Sequence, residues 1–246
     1  MMRIFPEFFE TLKIESVEGY PSHLLDILRS LCPKKCKKDP NIVILTPGPF
    51  NSAYYEHSFL ADMMGIELVQ GSDLFVDSNV TYMKTTEGPK RVDIIYRRLD
   101  DEYLDPLYYR ADSILGVPGI INSYKTGNIN ICSAPGAGIA DDKAIYTFMP
   151  DIIRFYLGEE AILKNVHTWR CYDERDKKYV ISNLEKLVVK EVHGSGGYGM
   201  LIGSNAPKKE IEEFKNKITT NPNNFIAQPI LDLSTIPIFD KKTLSP

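Results

Sequence analysis

The segment with the clearest chemical character is a loop rich in glycine that lies between two apolar runs. Residues 187–190 read Leu-Val-Val-Lys, residues 193–199 read His-Gly-Ser-Gly-Gly-Tyr-Gly, and residues 200–203 read Met-Leu-Ile-Gly. Glycines let backbone N–H groups approach an anion closely, and a lysine beside them offers a positive charge to phosphate oxygens. The pattern predicts a β-hairpin whose tip, the glycine loop (193–199), folds over phosphates. An ordinary glycine-rich hairpin with a solvated lysine is the alternative.

A second apolar run ends in a polar side chain and a proline. Residues 225–227 are Phe-Ile-Ala, and they continue into Gln228 and Pro229. A buried strand that breaks at this point presents backbone N–H and C=O groups suited to the edge of an adenine ring. The alternative is a core strand that simply ends at its proline.

Two arginines follow a third apolar run. Residues 92–96 read Val-Asp-Ile-Ile-Tyr, and Arg97 and Arg98 come directly after them. Open α/β sheets bind ligands outside the carboxyl ends of their strands, so these arginines are well placed to contact a ligand. The alternative is a surface ion pair with one of the acidic side chains that follow: Asp100, Asp101 and Glu102.

The elements that must position these groups are predicted from hydrophobic periodicity. The run Ile-Val-Ile-Leu at 42–45 is typical of a strand buried on both faces, residues 54–64 read as a helix that ends before Gly65, and residues 66–69 form the next strand, which gives a βαβ unit. Further strands are predicted at 74–83, 92–96, 184–190, 200–203 and 225–231. Further helices are predicted at 22–31 with Ser22 as a cap, at 141–157 with Asp141 or Asp142 as a cap, and at 210–218.

The composition excludes several classes of function. The chain has 246 residues, a net charge of −4 and a pI near 5.7, so nucleic-acid and membrane-surface binding are not expected. The N-terminus does not have the pattern of a signal peptide, and no apolar stretch reaches the roughly 20 residues that span a bilayer. We expect a cytoplasmic protein whose four cysteines are reduced thiols, since only Cys32 and Cys36 are close and no second pair completes a zinc site.

Long segments of the chain resemble one family. The strings are LTPGPFNSAYYEH, VDIIYRRLDDEYLDPL, DSILGVPG, GIADDKAIYTFMPDIIRFYLGEE, VVKEVHGSGGYGML and IAQPILDLST. They are similar to the circularly permuted type 2 ATP-grasp family, which resembles glutathionylspermidine synthase and eukaryotic glutathione synthetase in fold. The resemblance extends from about residue 20 to about residue 235. It implies ATP, Mg²⁺ and an acyl phosphate that an amine attacks.

The resemblance also implies roles for residues of the nucleotide site. Lys143 corresponds to a first lysine that contacts phosphate, and Lys190 corresponds to a second. The flap over the phosphates corresponds to Gly194, Ser195, Gly196, Gly197 and Gly199. Gln228 and its neighbours correspond to the hinge that binds adenine.

Other residues correspond to the substrate side of the family's site. Arg97 or Arg98 falls where related synthetases hold the substrate carboxylate. Asn51 and Glu56 lie on the facing βα loop and helix, where the substrate also binds. Ligases of this kind do not require a histidine as acid or base, so His57 and His193 are interpreted as packing residues or, at most, as phosphate-side contacts.

The resemblance implies an α/β fold of several lobes. The predicted parts are an N-terminal helical segment (1–40), a parallel α/β substrate-binding lobe (41–125), a connecting helical region with the first lysine (126–183) and an ATP-grasp lobe with the flap and the hinge (184–246).

Two motifs of the family have no counterpart in the sequence. An acidic-x-Asn metal motif is expected before residue 20, and an Asp-Leu-Arg-Pro strand is expected after the last residues. We therefore expect a fold truncated at both ends, with metal ligands outside this chain and no ligase activity from these residues alone. Two functions stay open: an ATP-dependent carboxylate–amine ligase, and a non-catalytic nucleotide- or peptide-binding module or half of a split ligase.

Overall fold

The computed structural model describes residues 6–36, 39–194, 196–232, 235, 238–240 and 243–245. The helices are Pro6–Thr11 (α1), Tyr20–Ser30 (α2), Tyr54–Met64 (α3), Asp101–Leu104 (α4), Ile120–Lys125 (α5), Met149–Leu157 (α6), Glu174–Ser182 (α7) and Lys208–Thr220 (α8). The strands are Ile42–Leu45 (β1), Glu67–Val69 (β2), Leu74–Asp77 (β3), Val80–Thr85 (β4), Gly88–Arg91 (β5), Ile94–Arg97 (β6), Asn130–Cys132 (β7), Trp169–Arg170 (β8), Leu187–Glu191 (β9), Met200–Ile202 (β10), Phe225–Pro229 (β11), Ile238–Asp240 (β12) and Thr243–Ser245 (β13). The chain divides into two compact units, Met1–Gly138 (unit 1) and Ile139–Pro246 (unit 2).

Unit 1 is built around a parallel sheet with the strand order β2-β1-β6-β7. All four residues of β1 are buried, because both faces of the sheet are covered. Ile42 and Ile44 belong to a core cluster with side chains of α2 and α3. Val43 and Leu45 belong to the opposite cluster, which includes side chains of α5, β3 and β4. The α/β fold expected from the apolar runs is confirmed.

A separate antiparallel sheet of unit 1 has the order β3-β4-β5. It lies in sequence between β2 and β6, so the chain leaves the parallel sheet on one side of β1 and returns on the other side.

The left-handed backbone of Gly65 (φ +65°) ends α3 at the predicted place.

Unit 2 contains an antiparallel sheet with the order β10-β9-β11-β8. One face of this sheet packs on α7 and α8 through a core cluster that includes Leu187, Val189 and Leu201. Because side chains alternate along a strand, Val188 and Lys190 point to the opposite face. This second face, which carries the polar side chains, is called the open face below.

Two helix predictions are wrong in their details. The helix predicted at 22–31 starts at Tyr20, with Pro21 in its first turn, and Ser22 makes no cap hydrogen bond. The helix predicted at 141–157 is instead a 3-10 turn at Ile145–Phe148 followed by α6. Pro150 explains this, since proline has no N–H and fits only the first turn of an α-helix. Among the described residues, no helix has the length and apolarity needed to cross a membrane.

Candidate functional site

The glycine loop of unit 2 contacts Lys143. The Lys143 Nζ donates to the carbonyl oxygen of Val192 at 3.4 Å and to that of Gly194, and the Lys143 backbone N–H donates to Val192 O at 3.2 Å. His193 is exposed, and its Nε2 lies 4.0 Å from Asp142 Oδ2. The segment that carries Lys143 therefore holds the base of the glycine loop.

The conformation of the glycine loop requires its glycines. Gly196, Gly197 and Gly199 have φ values of +63°, +79° and +65°, a region that other residues rarely adopt. A Cβ on Gly199 would also lie 2.4 Å from the Glu191 side chain. Ser195, which was predicted to bind phosphate, lies outside the described residues. The remaining loop backbone is exposed or half-buried from Gly194 to Gly199.

The open face of unit 2 brings Lys190 and Gln228 together. Lys190 Nζ donates to Gln228 Oε1 at 2.8 Å, and Gln228 Nε2 donates to Thr168 Oγ1 at 2.9 Å. In the register of β9 and β11, Lys190 pairs with Ile226 and Val188 pairs with Gln228, so the lysine and the glutamine are diagonal neighbours on one face. Thr168 was not identified from the sequence, because only the pairing of β8 with β11 places it beside Gln228.

In the parallel sheet of unit 1, the order of the strands reverses between β1 and β6. The chain passes from β1 to β2 on one side and then to β6 on the other side of β1. Ligands of open α/β sheets bind outside the carboxyl ends of the strands at such a switch point. The residues that follow these ends are Thr46 after β1 and Arg98 after β6.

Arg97 is buried and bonded to protein groups. Its guanidinium donates to the carbonyl oxygens of Ser133 (3.0 Å), Leu99 (2.6 Å) and Ala134 (3.3 Å), and its Nη2 lies 2.9 Å from Asp101 Oδ1. Asp101 is one of the three acidic residues considered as ion-pair partners, but the pair has a buried arginine and does not lie on the surface as that alternative supposed.

Arg98, Asn51 and Glu56 are exposed. The guanidinium of Arg98 lies 5.8 Å from the centre of the Tyr96 ring. Asn51 Oδ1 accepts a hydrogen bond from the Ala53 backbone N–H at 2.9 Å, which shapes the loop before α3. The substrate-binding roles of these three residues stay predictions.

A buried polar pair supports the loop between β1 and α3. Thr46 Oγ1 and His57 Nδ1 are 2.9 Å apart, and the Gly48 backbone N–H donates to Thr46 Oγ1 at 3.2 Å. Burial lowers the pKa of His57, and the nearby Arg98 lowers it further, whereas Glu56 acts in the opposite direction. The sequence contained a signal for this burial, because His57 shares a helical stripe with two buried apolar residues: Ala61 and Met64.

The described residues contain no group of three or more His, Cys, Asp or Glu side chains arranged to hold a metal ion. Asp142, which lies beside Lys143, accepts a hydrogen bond from the Ala144 backbone N–H at 2.7 Å and is used locally. The four cysteines, all among the described residues, form no disulfide, and burial raises the pKa of Cys171 to about 12. A thiol with such a pKa is protonated at neutral pH and is a poor nucleophile.

Comparison with known proteins gives a match over the whole chain. The family model described as circularly permuted ATP-grasp type 2 matches residues 1–246. A protein of Synechocystis sp. is 49% identical over 237 residues, which are 96% of this chain and 49% of that protein. A protein of Mycobacterium tuberculosis is 48% identical over 246 residues, 100% of this chain and 44% of that protein. The chain thus spans about half the length of these curated relatives.

More distant relatives and solved structures have lower sequence identity to this chain. A Frankia casuarinae protein named "Putative glutamate--cysteine ligase 2-2" is 36% identical over 244 residues, 99% of this chain and 28% of that protein. The crystal structure of D-alanyl-alanine synthetase A from Vibrio cholerae has a TM-score of 0.47 and 10% identity, and covers 85% of this chain and 66% of that one. The family match rests on sequence, not on this loose structural overlap.

Proposed function

Since the chain belongs to the circularly permuted ATP-grasp type 2 family, we propose that it serves an ATP-dependent ligase that joins a carboxylate to an amine. In this reaction a carboxylate oxygen attacks the γ-phosphorus of ATP and ADP leaves. The amine nitrogen then attacks the carbonyl carbon of the acyl phosphate, and inorganic phosphate leaves. The net products are an amide, ADP and phosphate.

The observation that supports this proposal is the convergence of charged and glycine residues within unit 2. Lys143 contacts the base of the glycine loop, and Lys190 lies on the strand that leads into it. Two ammonium groups and exposed backbone N–H groups suit the phosphates of a nucleotide, where negative charge increases during phosphoryl transfer. The glycine loop closes over that site and excludes water.

The substrate carboxylate is assigned to the switch point of unit 1. Of the two adjacent arginines, Arg98 is exposed and suits this role, whereas the N–H groups of Arg97 are used by protein carbonyls and Asp101. A guanidinium recognises a carboxylate through two parallel hydrogen bonds. Asn51 lies in the loop after β1 and Glu56 in the first turn of α3, and we assign both to the same substrate.

A second function, a nucleotide-binding module without ligase activity, is favoured by one observation. Phosphoryl transfer from ATP ordinarily uses a divalent metal, and the described residues do not form a metal site. The described residues therefore identify no set of ligands for Mg²⁺, and we assign no step to the metal. The cationic and glycine groups suit nucleotide binding under either function.

Calorimetric titration with ADP tests the nucleotide site that both functions share. Lys190→Ala is expected to weaken binding about tenfold to a hundredfold, because a charge-assisted hydrogen bond contributes about 1.5–3 kcal/mol. Lys186→Ala is the matched control, since Lys186 is exposed on the 3-10 turn before β9. Equal affinities for the two variants would remove Lys190 from the site.

Hydroxylamine trapping separates the two functions. An acyl phosphate reacts with hydroxylamine to give a hydroxamate and phosphate, so the protein is incubated with ATP, Mg²⁺, hydroxylamine and a panel of amino acids and dipeptides that starts with glutamate. A hydroxamate that depends on one carboxylate supports the ligase. Nucleotide binding that depends on Lys190, without any hydroxamate, supports the binding module.

A further inference from the structure

Thr168 lies in a chain of hydrogen bonds that runs across the open face of unit 2. Its hydroxyl donates to the Val166 carbonyl oxygen at 2.9 Å, and its oxygen accepts from Gln228 Nε2 at 2.9 Å. Gln228 Oε1 then accepts from the Lys190 ammonium at 2.8 Å. The side chains of Thr168, Gln228 and Lys190 are half-buried. Hydrogen bonds in such surroundings are stronger than in bulk water.

The donors and acceptors fix the orientation of the Gln228 amide. The single proton of the Thr168 hydroxyl is used by Val166, so the hydroxyl can only accept from Gln228. The Lys190 ammonium has donors alone, so it requires the carbonyl oxygen of the amide. Turning the amide by half a turn would place NH₂ against the ammonium and oxygen against oxygen, and both contacts would be lost.

We propose that Thr168 is a positioning residue of the nucleotide site, because its hydroxyl fixes the Gln228 amide that holds the Lys190 ammonium. This inference rests on the proposed nucleotide site. An ammonium has three donors, and Gln228 takes one of them, so Lys190 is held in place while the others remain available for phosphate oxygens. Fixing the lysine before binding reduces the entropy lost when the ligand arrives.

The test uses two substitutions of Thr168 and one of its partner. Thr168→Val keeps the shape of the side chain and removes the hydroxyl, whereas Thr168→Ser keeps the hydroxyl. Thr168→Val is expected to weaken ADP binding about fivefold to thirtyfold, and Thr168→Ser is expected to bind within about threefold of the parent. In a Gln228→Ala background, Thr168→Val is expected to have no further effect, since the group it acts through is gone.

A readout without nucleotide separates this inference from the proposed function. The side-chain NH₂ signals of Gln228 in a ¹⁵N NMR spectrum of the free protein are expected to be dispersed and slow to exchange, and to collapse in Thr168→Val but not in Thr168→Ser. Unchanged amide signals in Thr168→Val would overturn the inference whatever the nucleotide does. Collapsed signals in Thr168→Val with unchanged ADP affinity would overturn the positioning role alone. A parent protein that does not bind ADP would overturn the proposed nucleotide site.

Discussion

At the scale of single residues, His57 shows how burial sets a protonation state. Its ring is 3% exposed, and its Nδ1 pairs with Thr46 Oγ1 beneath the loop that follows β1. The lowered pKa means that the folded chain resists protonation of this ring more than the unfolded chain does. The neutral ring therefore supports the loop at which we place the substrate.

The first prediction is that acid weakens unit 1 through His57. Between the ordinary pKa of 6.5 and the lower folded value, the unfolded state binds more protons, so stability rises with pH. The stability that the chain owes to a neutral His57 is complete above pH 6.5 and is lost as the pH falls from 6.5 through the folded pKa. Urea unfolding followed by circular dichroism between about pH 5 and 8 should show a slope that His57→Gln reduces.

NMR provides the direct check of the same prediction. The His57 ring signal, assigned by its loss in His57→Gln, should titrate below 6.5. A midpoint above that value would contradict the prediction, since it would mean that the folded state favours the charged ring.

Part of the proposed nucleotide site can be predicted from single residues. A lysine at a strand end and a Gln-Pro break identify Lys190 and Gln228 as candidates. Their hydrogen bond cannot be predicted in the same way, because the partner of each residue depends on the register of β9 against β11. Register is set by which strand faces are buried in the folded unit. Thr168 can be identified as a neighbour of Gln228 only once the pairing of β8 with β11 is known.

At the scale of elements, Arg97 joins β6 to the loop that follows β7. The guanidinium binds carbonyls of Ser133 and Ala134, and the carboxylate of Asp101 accepts from the backbone N–H groups of Gly136 (3.1 Å) and Gly138 (3.0 Å). One ion pair thus connects the end of β6, the start of α4, and the loop and 3-10 turn that follow β7.

The second prediction is that Arg97→Met destabilises the chain strongly. The substitution leaves Asp101 and three carbonyl oxygens without their buried donor, and breaking such a pair costs about 3–5 kcal/mol. Arg98→Met is the matched control, because this neighbour is exposed and contacts one ring, so it should cost less than about 1 kcal/mol. Urea unfolding compares the two, and similar losses for both variants would show that Arg97 has no special structural role.

The elements themselves were partly predictable. The bounds of β1 and α3 follow from apolar runs and from Gly65, which are local signals. The region from 141 to 157 shows where local patterns compete, since helical spacing suggested one long helix, whereas Pro150 fits only the first turn of an α-helix and so fixes the start of α6 at Met149. The two-residue strand β8 had no detectable pattern, because it is defined by its partner β11.

At the scale of the whole molecule, the buried apolar residues separate by unit. The clusters around the parallel sheet contain residues of unit 1, and the cluster beneath the antiparallel sheet contains residues of unit 2. A domain that has its own hydrophobic core is able to fold by itself. The residues assigned to the nucleotide all lie in unit 2, and those assigned to the carboxylate lie in unit 1.

The last prediction is that unit 2 alone, residues 139–246, folds and binds ADP. Unit 2 contains its own core cluster and the side chains of Lys143, Lys190, Gln228 and Thr168. The affinity of the fragment for ADP should therefore stay within about threefold of that of the 246-residue chain, a difference in binding free energy below about 0.7 kcal/mol. Circular dichroism checks folding, and calorimetry with ADP checks binding. Lys190→Ala in the fragment is the control, and it should weaken binding as it does in the longer chain. A folded fragment that fails to bind, beside a 246-residue chain that binds, would show that unit 1 supplies part of the nucleotide site.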